Sequence, residues 1–590
     1  MTEHLGLRPH KVVREDRADG TILLRSGYEM SAVDTSTGVW LDRWAEAAPE
    51  RVFLAERSGE GWRTLSYGEA RERVRTVAAG LLARELDGPI LILSGNSVDH
   101  ALLSLAAQYV GLVTVPVAEQ YSLIPAAHGR LRYVVDLVKP ALVYAADEAA
   151  YGDALALCGC PAVCSVLDGS GAVAFDALHG DGDVDAAHAA VGPDTVAKLL
   201  LTSGSTSNPK AVETTHGMMT TNQAQIRDGL PFVAARPPVL VDWLPWNHVF
   251  GGSHNFNLVL ANGGTLYIDD GKPLPALFPR TVENLGKVSG TISFNVPVGF
   301  AQLVRAMEAD ADLRETYFRD LDMIFYAGAS LPQETWRILE RMALNTAGRM
   351  PLITSSWGLT ETAPAALLQH EPAHGAGIVG VPMTGVTVKL VDDGAGRMDV
   401  RVKGNSIFAR YHDNPRKTAE VFDDEGFFIT GDAMRFVDPR DINRGLRFDG
   451  RLSEDFKLST GTWVQAAQLR LEMLALLGAL AQDVIVCGHG RDEVGILIVP
   501  GPEASDGTRD GAALCCAASA NIRKRIEMQN MQTSGSARVV TRALVLADPP
   551  DMGAGEMTAK GNINFARLLE RRADLVERLY DDNDPASIVP

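Results

Sequence analysis

The sequence predicts an α/β protein with a large N-terminal domain of α/β sheets, a β-rich subdomain, and a small α+β C-terminal domain. Three observations lead to this prediction. Short apolar runs alternate with helical periodicity over roughly the first two thirds of the chain. After about Arg401 the pattern changes to short strand-like segments with turn signals, and a compact tail follows. A chain of 590 residues is longer than a single hydrophobic core usually accommodates. We therefore predict two domains, at residues 1–449 and 450–590.

The N-terminal domain begins with alternating helices and strands. Residues 71–86 carry apolar side chains at three- and four-residue spacing, which predicts a helix. A buried strand at 89–93, a helix at 99–109 and a strand at 112–117 follow. Further strands are predicted at 141–144, 240–244, 265–268, 291–295 and 323–326. Their alternation with helices favours largely parallel sheets, whereas the Gly- and Asp-rich stretch 169–194 predicts a surface loop.

The tail is predicted to be a separate α+β domain. Its strands are expected at 483–487 and 494–499. Its helices are expected at 466–477, 513–528 and 564–579.

Composition and charge exclude several classes of protein. The net charge of −19 argues against broad binding to nucleic acid or to anionic membranes. The N-terminus lacks an apolar signal region and no stretch is long enough to span a bilayer, so we expect a soluble, cytoplasmic protein. Cys158, Cys160 and Cys164 raise the possibility of a soft-metal site, but no paired CxxC or nearby histidine completes it, and buried thiols are favoured.

The most informative segment joins an apolar strand to a loop of small, hydroxylated residues. Leu199 to Thr202 is followed by Ser203, Gly204, Ser205 and Thr206, and the loop ends at Lys210. Small side chains let backbone N–H groups approach a polyphosphate, and the ammonium offsets its charge. Pro209 and Ala211 exclude a Walker A loop. Taken alone, a phosphate loop and a solvated polar linker both remain open.

Five further motifs follow this loop in order. They are Leu244-Pro-Trp-Asn-His-Val-Phe-Gly251, Tyr326-Ala-Gly-Ala-Ser-Leu-Pro332, Trp357-Gly-Leu-Thr-Glu361, Thr430-Gly-Asp432, and Gly450-Arg451 through Lys457 to Gly461. Together with the loop they resemble the adenylate-forming superfamily of acyl-CoA synthetases, adenylation domains and luciferases. Each residue alone could have a purely structural role, such as an aspartate in a turn or a histidine in the core. Only the occurrence of all six motifs in this order favours the functional explanation.

The resemblance implies roles for individual residues. Thr202 to Thr206 with Lys210 would hold the β- and γ-phosphates of ATP, Asp432 and Arg451 the ribose, and Thr360 the α-phosphate or the acyl carboxylate. Glu361 would bind Mg²⁺, which prefers hard oxygen ligands. The adenine site would be lined by Gly328, Ala329, Ser356, Trp357 and Gly358, and His248 joins Thr360, Glu361 and a tail lysine as the catalytic set.

The resemblance also implies a mobile C-terminal domain. Its lysine would enter the site for adenylation and leave it for thioester formation, with the hinge at Ser453 and Lys457 facing the second half-reaction. Most members of the superfamily carry Thr-Gly-Lys followed by an aliphatic residue in this segment. A strict alignment of that pattern places Asn562 at the lysine position. We choose Lys560, the only lysine in the segment.

Within the superfamily the sequence looks like the bacterial feruloyl-CoA synthase branch. The stretches that carry this likeness include Ser94-Gly-Asn-Ser-Val-Asp-His100, Phe294-Asn-Val-Pro297, and Lys457-Leu-Ser-Thr-Gly-Thr-Trp-Val464. The implied substrates are ATP, coenzyme A and a hydroxycinnamate such as ferulate, p-coumarate or caffeate, with Mg²⁺ as cofactor, in phenylpropanoid degradation. Candidate residues of the acyl pocket are Trp246, His248, Phe250 and Asn295.

Other interpretations stay open. One is the same ligase chemistry on another aryl or medium-chain acid, because pocket volume cannot be read from one sequence. The other is a protein that loads a carrier or that keeps the fold without catalysis. No nucleic-acid or membrane partner is expected, and a homodimer is possible as the assembly.

Overall fold

The structure is a computed structural model that describes residues 5–590 except 203–208, 329, 374, 376, 393, 395–396, 453, 534, 552–553 and 558–562. It divides into two compact units. The first comprises Met1–Val391, Arg401–Ile429 and Phe436–Arg447. The second comprises Asp392–Val400, Thr430–Arg435 and Phe448–Pro590.

Most strands belong to the first unit. In chain order they are β1 Val12–Asp16, β2 Ile22–Ser26, β3 Val52–Ser58, β4 Gly61–Ser66, β5 Ile90–Leu93, β6 Thr114–Pro116, β7 Leu142–Asp147, β8 Ala162–Val166, β9 Val173–Ala174, β10 Val196–Thr202, β11 Lys210–Thr215, β12 Val239–Asp242, β13 Thr265–Ile268, β14 Ile292–Asn295, β15 Met323–Tyr326, β16 Leu352–Gly358, β17 Ala365–Leu368, β18 Ile378–Pro382 and β19 Thr387–Asp392. The chain passes between the two units at the last residue of β19, Asp392, and within β20 Met398–Lys403, β21 Phe428–Phe436 and β22 Leu446–Arg451.

The helices of the first unit alternate with these strands. They are α1 Thr37–Ala47, α2 Tyr67–Leu82, α3 Val98–Tyr109, α4 Glu119–Leu123, α5 His128–Val138, α6 Gly152–Cys158, α7 Val184–Ala190, α8 His216–Gly229, α9 Phe232–Ala235, α10 Phe256–Ala261, α11 Phe278–Lys287, α12 Pro297–Ala309, α13 Ala311–Arg319, α14 Gln333–Ala347 and α15 Pro415–Glu420. Short 3₁₀ turns also occur, and a π-helix, Phe250–Asn255, precedes α10.

Three parallel strands position the site described below. β14, β15 and β16 lie side by side, with Asn295 opposite Tyr326 and Tyr326 opposite Ser355. Their carboxyl ends therefore meet at one edge of the sheet, where ligands of open α/β sheets bind. Two other sheets have the strand orders β11-β10-β6-β5-β7-β8-β9 and β12-β13-β3-β4. The apolar faces of α12, α13 and α14 pack with β15 and β16, and Phe300, Leu339 and Ile324 are fully buried there.

The second unit is a smaller α+β assembly. A two-stranded hairpin of β23 Phe456–Lys457 and β24 Trp463–Val464 precedes α16 Ala466–Leu477. The remaining elements are β25 Ala481–Cys487, β26 Val494–Pro500, β27 Gly507–Asp510, β28 Ala513–Cys516, α17 Ser519–Gln532, β29 Val540–Leu546, α18 Phe565–Arg571 and α19 Ala573–Leu579. The sheet order is β25-β26-β29-β28-β27, and Val484, Ile496, Val545 and Ile526 form part of its buried core.

The predicted fold class is confirmed, whereas three local predictions are wrong. Residues 169–194 contain β9 and helix α7, because Asp183 caps the helix by accepting from the backbone N–H of Ala186. Residues 513–516 form the strand β28 rather than the start of a helix, since they pair with β27 and β29. The single helix predicted for 564–579 is two helices that meet at Arg572, whose side chain binds Glu556.

Among the described residues, no helix is both long and apolar enough to cross a membrane. The six cysteines are free.

Candidate active site

The loop that was predicted to bind phosphate connects two paired strands. Thr202 ends β10 and lies opposite Lys210, which begins β11. The hydroxyl oxygen Oγ1 of Thr202 is buried and has no hydrogen-bond partner among the described residues. Burying a hydroxyl without a hydrogen-bond partner lowers the stability of the fold, and a phosphate oxygen would accept its hydrogen bond. Ser203, Gly204, Ser205 and Thr206 lie outside the described residues.

A chain of three side chains joins this loop to the next motif. The ammonium of Lys210 donates to Oη of Tyr411 over 3.1 Å and lies 4.4 Å from the centre of its ring. Tyr411 Oη in turn donates to Oε1 of Glu361 over 2.8 Å. Burial lowers the pKa of Lys210, and the charge of Glu361 partly offsets that shift. The structure thus brings together the predicted phosphate lysine and the predicted metal ligand, with Tyr411 between them.

Backbone hydrogen bonds hold Tyr411 in this position. The N–H of His412 donates to the carbonyl of Ala211 over 2.8 Å, and the N–H of Phe408 donates to the carbonyl of Glu361 over 2.9 Å. Glu213, on β11, also binds the side chains of Arg410 and His412. Hydrogen bonds therefore join the segment 408–412 both to β11 and to the turn that contains Glu361.

The other predicted nucleotide residues of the first unit lie at the carboxyl ends of β15 and β16. Gly328 follows β15 with a φ of +87°, a backbone conformation that favours glycine. Ser356, Trp357 and Gly358 end β16, and a Cβ at Gly358 would lie only 1.7 Å from the carbonyl oxygen of Pro364. Only glycine fits at residue 358. Ala329 lies outside the described residues.

Thr360 and Glu361 form the turn after β16. Both are 8% exposed. No hydrogen bond or ion pair joins the Thr360 hydroxyl or the Oε2 oxygen of Glu361 to another described residue. A hard carboxylate oxygen without a partner in the described part of the chain suits Mg²⁺, which usually takes one or two carboxylates together with substrate phosphates. The residues present therefore fit a magnesium ion at Glu361.

The predicted acyl residue Phe250 belongs to an aromatic cluster that also contains His254, Phe294 and Phe325. Phe294 and Phe325 face each other across β14 and β15, with ring centres 5.1 Å apart. Phe250 and His254 pack against both rings at distances of 5.2 to 6.0 Å. The cluster lies one residue before the carboxyl ends of these two strands, beside the edge that carries Gly328.

Phe250 and His254 are both supplied by the π-helix Phe250–Asn255. A π-helix leaves backbone groups to be satisfied from elsewhere and is often found at functional sites. Lys198, on β10, donates to the carbonyl of Gly252 over 2.9 Å, and Gln223, on α8, donates to the carbonyls of Ser253 and His254. Burial lowers the pKa of Lys198 to about 8. The strand that leads into the predicted phosphate loop thereby also contacts the π-helix.

Glycine is required within this π-helix, which yields a first prediction. A Cβ at Gly252 would lie 2.1 Å from the carbonyl oxygen of Trp246. Gly252→Ala is therefore expected to destabilise the protein by about 1–3 kcal/mol, the usual cost of overpacking. The free energy of unfolding in urea measures the effect. Gly286→Ala is the matched control, because Gly286 is exposed on α11 and a Cβ there would have only Leu313 Cδ1 within 4.0 Å. It should be neutral or slightly stabilising, and equal losses in both variants would contradict this account.

The remaining predicted acyl residues have structural partners. Trp246 is 6% exposed and packs against His100 and Phe256, and its backbone N–H donates to Oδ1 of Asn96. Asn295 accepts hydrogen bonds from the indole N–H of Trp243 and from the N–H of Val296. His248 is partly exposed and accepts from the backbone N–H of Phe250, so it shapes the start of the π-helix.

The predicted ribose residues lie together in the second unit. The carboxylate of Asp432 is 3% exposed, and its Oδ1 lies 3.5 Å from Nε of Arg451, which is 51% exposed. The N–H of Leu452 donates to the carbonyl of Gly431, which ties the two motifs together. Lys457 is exposed, with its ammonium 5.0 Å from the centre of the Trp463 ring. The predicted hinge Ser453 and tail lysine Lys560 lie outside the described residues.

Sequence profiles decide the family. The profile of the AMP-binding enzyme matches residues 41–412, and that of the AMP-binding enzyme C-terminal domain matches residues 456–584. The chain belongs to the AMP-binding enzyme family.

Relatives with assigned activities in this family include acyl-CoA ligases. The long-chain-fatty-acid–CoA ligase FadD15 of Mycobacterium bovis is 25% identical over 588 residues, covering 90% of this chain and 95% of that protein. The probable acyl-activating enzyme 16 of Arabidopsis thaliana is 26% identical over 274 residues, 43% of this chain. That match spans only 37% of the Arabidopsis protein.

Solved structures of AMP-binding enzymes share the fold. ATP-bound MatB from Rhodopseudomonas palustris aligns with a TM-score of 0.68 at 21% identity, covering 92% of this chain and all (100%) of that one. The adenylation domain of a carboxylate reductase from Mycobacterium chelonae aligns with a TM-score of 0.70 at 19% identity, covering 93% of this chain and 91% of that one. These likenesses confirm a mixed α/β fold with a large N-terminal and a C-terminal domain.

Several residues of the site were missed by the sequence analysis. Tyr411, Lys198 and His254 lie outside the motifs that were interpreted, and nothing in their local pattern distinguishes them from core residues. The run Phe250-Gly-Gly-Ser-His-Asn255 did carry a signal, since two successive glycines in a helical segment indicate close backbone packing.

Proposed function

We propose that this AMP-binding enzyme is an ATP-dependent hydroxycinnamate–CoA ligase that works through an acyl adenylate. The observation that supports the proposal most is the Lys210–Tyr411–Glu361 chain, which links a cation to a carboxylate. The chain starts at Lys210, opposite Thr202, whose buried hydroxyl has no hydrogen-bond partner among the described residues. Such an arrangement can bind a polyphosphate and offset charge during phosphoryl chemistry.

In the proposed first step, a carboxylate oxygen of the acid attacks the α-phosphorus of ATP, and the bond from that phosphorus to the bridging oxygen of the β-phosphate breaks. Pyrophosphate leaves. Since an anion approaches a polyanion, the protein must supply positive charge and alignment. Lys210 and Lys560 supply charge, and Thr360 orients the reacting groups. Mg²⁺, when bound at Glu361, would neutralise charge on the phosphate oxygens.

In the proposed second step, the thiol of coenzyme A attacks the carbonyl carbon of the adenylate. The bond from that carbon to the phosphate oxygen breaks, AMP leaves, and the thiol proton is released to solvent. We assign Lys457 to this half-reaction and Ser453 to the hinge between the two arrangements of the C-terminal domain.

The hydroxycinnamate assignment rests on the branch resemblance and on the aromatic cluster of Phe250, His254, Phe294 and Phe325. Flat rings pack well against aromatic side chains. A second candidate is a ligase for fatty acids, which the name of the relative FadD15 favours. An assay with ATP, Mg²⁺ and CoA that follows AMP and thioester tests the two. Matched formation of both products from ferulate or p-coumarate supports the proposal. Activity confined to fatty acids would show that the acid is a fatty acid, while the proposed ligase chemistry would stand.

The ribose assignment makes a separate prediction. Asp432→Asn keeps the size of the side chain and removes the charge that faces Arg451. A carboxylate offers two charged acceptor oxygens to the ribose hydroxyls, whereas an amide offers one neutral acceptor oxygen. We therefore expect the KM for ATP to rise about tenfold or more, with the KM for the acid changed little. Steady-state kinetics with each substrate varied measures this difference. Asp449→Asn, whose carboxylate binds Arg435 nearby, is the control and should leave the KM for ATP unchanged; a similar rise in both variants would contradict the assignment.

A further inference from the structure

His254 is a polar group enclosed by an aromatic cluster. It is 2% exposed, and its ring centre lies 5.7 Å from that of Phe250, 5.4 Å from that of Phe294 and 5.2 Å from that of Phe325. Burial lowers its pKa to about 4, so the imidazole is neutral near pH 7. A neutral imidazole has one nitrogen that donates and one that accepts, and their assignment depends on its neighbours.

Two neighbouring side chains determine which nitrogen of His254 carries the proton. Asn255 donates through Nδ2 to Oδ2 of Asp242 over 2.8 Å, and the N–H of Leu244 donates to Oδ1 of the same carboxylate over 3.1 Å. The amide oxygen of Asn255 then faces Nδ1 of His254 at 2.9 Å. An oxygen can only accept, so Nδ1 carries the proton and donates it. Nε2 of His254 is consequently an acceptor.

This acceptor has no hydrogen-bond partner among the described residues. A ligand that donates a hydrogen bond to this nitrogen gains affinity over one that cannot. Burial raises the pKa of Asp242 to about 7, and its carboxylate form, which fixes Asn255, therefore prevails above that pH.

The cluster lies next to the edge of the sheet that carries the predicted reacting groups. Phe294 and Phe325 each precede the last residue of their strand, and the edge beyond carries Gly328, Thr360 and Glu361. An acid whose ring packs on these phenyl groups can direct its carboxylate toward that edge and the far end of its ring toward His254.

We propose that His254 selects acids whose ring bears a hydroxyl group, by accepting the phenolic O–H at Nε2, with Asp242 and Asn255 as positioning residues that fix its tautomer. This inference rests on the proposed function and names the group that recognises the substrate ring. A phenolic hydroxyl supplies the donor that the cluster lacks, and its aromatic ring matches the surrounding phenyl groups.

The test compares p-coumarate with cinnamate, which differ only in the ring hydroxyl. At pH 8, where Asp242 is ionised, the wild-type enzyme should prefer p-coumarate in kcat/KM by about tenfold or more, as is usual where a polar site meets an analogue that lacks its donor. His254→Phe keeps an aromatic ring and removes the acceptor, so the preference should fall at least about tenfold through the KM for p-coumarate. The KM for ATP should change less than about twofold.

Two further variants make the result decisive. His254→Gln retains an acceptor oxygen and should keep part of the preference. His216→Phe alters another buried histidine, which accepts from the N–H of Thr37 and lies outside the cluster, and should leave the preference unchanged. If His254→Phe does not fold, judged by its thermal melting, Asn255→Leu replaces it and should also lower the preference.

An unchanged preference in the folded variant, or no preference in the wild-type enzyme that uses both acids, would overturn the role of His254 while the ligase proposal stands. No thioester from either acid, with thioester formed from a fatty acid, would instead overturn the hydroxycinnamate function itself.

Discussion

Replacing Glu361 with glutamine is expected to slow acyl-adenylate formation by about a thousandfold, the upper range for losing one preorganised electrostatic group. The carboxylate is buried, accepts from Tyr411 through one oxygen, and leaves the other without a partner among the described residues. Glutamine keeps the shape and can still accept from Tyr411, but it removes the charge that would hold magnesium and balance Lys210. Acid-dependent exchange of labelled pyrophosphate into ATP measures this half-reaction.

Glu420 provides a matched control for Glu361. Its charge also acts on Lys210, but it is exposed on α15 and pairs with Arg416 and Lys417. Glu420→Gln should retain exchange within about twofold because exposed ion pairs contribute little. A residual rate in Glu361→Gln that rises with magnesium concentration would agree with a weakened metal site. Exchange at the wild-type rate would remove Glu361 from the mechanism.

The second large effect is expected for Lys560→Ala. By resemblance this lysine stabilises the charge that develops on the α-phosphate, so its loss should reduce adenylate formation by about a hundredfold to a thousandfold. The thiol step does not need this cation. Thioester formation from preformed feruloyl adenylate and CoA should therefore remain close to the wild-type rate, and a single-turnover assay of each half-reaction separates the two.

Asn562→Ala resolves the register of this segment. If Lys560 acts as proposed, Asn562→Ala should retain adenylation within a few-fold. A severe loss in Asn562→Ala together with a mild one in Lys560→Ala would place Asn562 at the functional position. Equal loss of both half-reactions in Lys560→Ala would show that this residue is not specific to adenylation.

Strong periodicity made much of the fold predictable. The strands Thr265–Ile268 and Met323–Tyr326 and the helix Ala466–Leu477 were predicted at the residues where they occur. The errors arose where long-range pairing decides the structure. Residues 513–516 read as helical from their local composition, yet they form β28 because strands distant in sequence supply the hydrogen bonds.

The site was predictable only in part. Motif order singled out Lys210, Glu361 and Asp432, and the structure places Lys210 and Glu361 at the two ends of one hydrogen-bonded chain. Their roles stay predictions. Tyr411, which links Lys210 to Glu361, and the Asp242–Asn255–His254 chain depend on which segments the fold brings together. A π-helix likewise has no sequence signature beyond its paired glycines, so the aromatic cluster emerged only from the structure.

Pyrophosphate exchange into ATP without CoA, measured over a panel of ferulate, p-coumarate, benzoate and fatty acids, shows directly whether the protein forms an acyl adenylate and from which acid. We expect exchange that depends on magnesium and on a hydroxycinnamate, with AMP and a thioester accumulating together once CoA is added. Absence of acid-dependent exchange with every acid in the panel, or the formation of ADP and phosphate in place of AMP and pyrophosphate, would contradict this expectation.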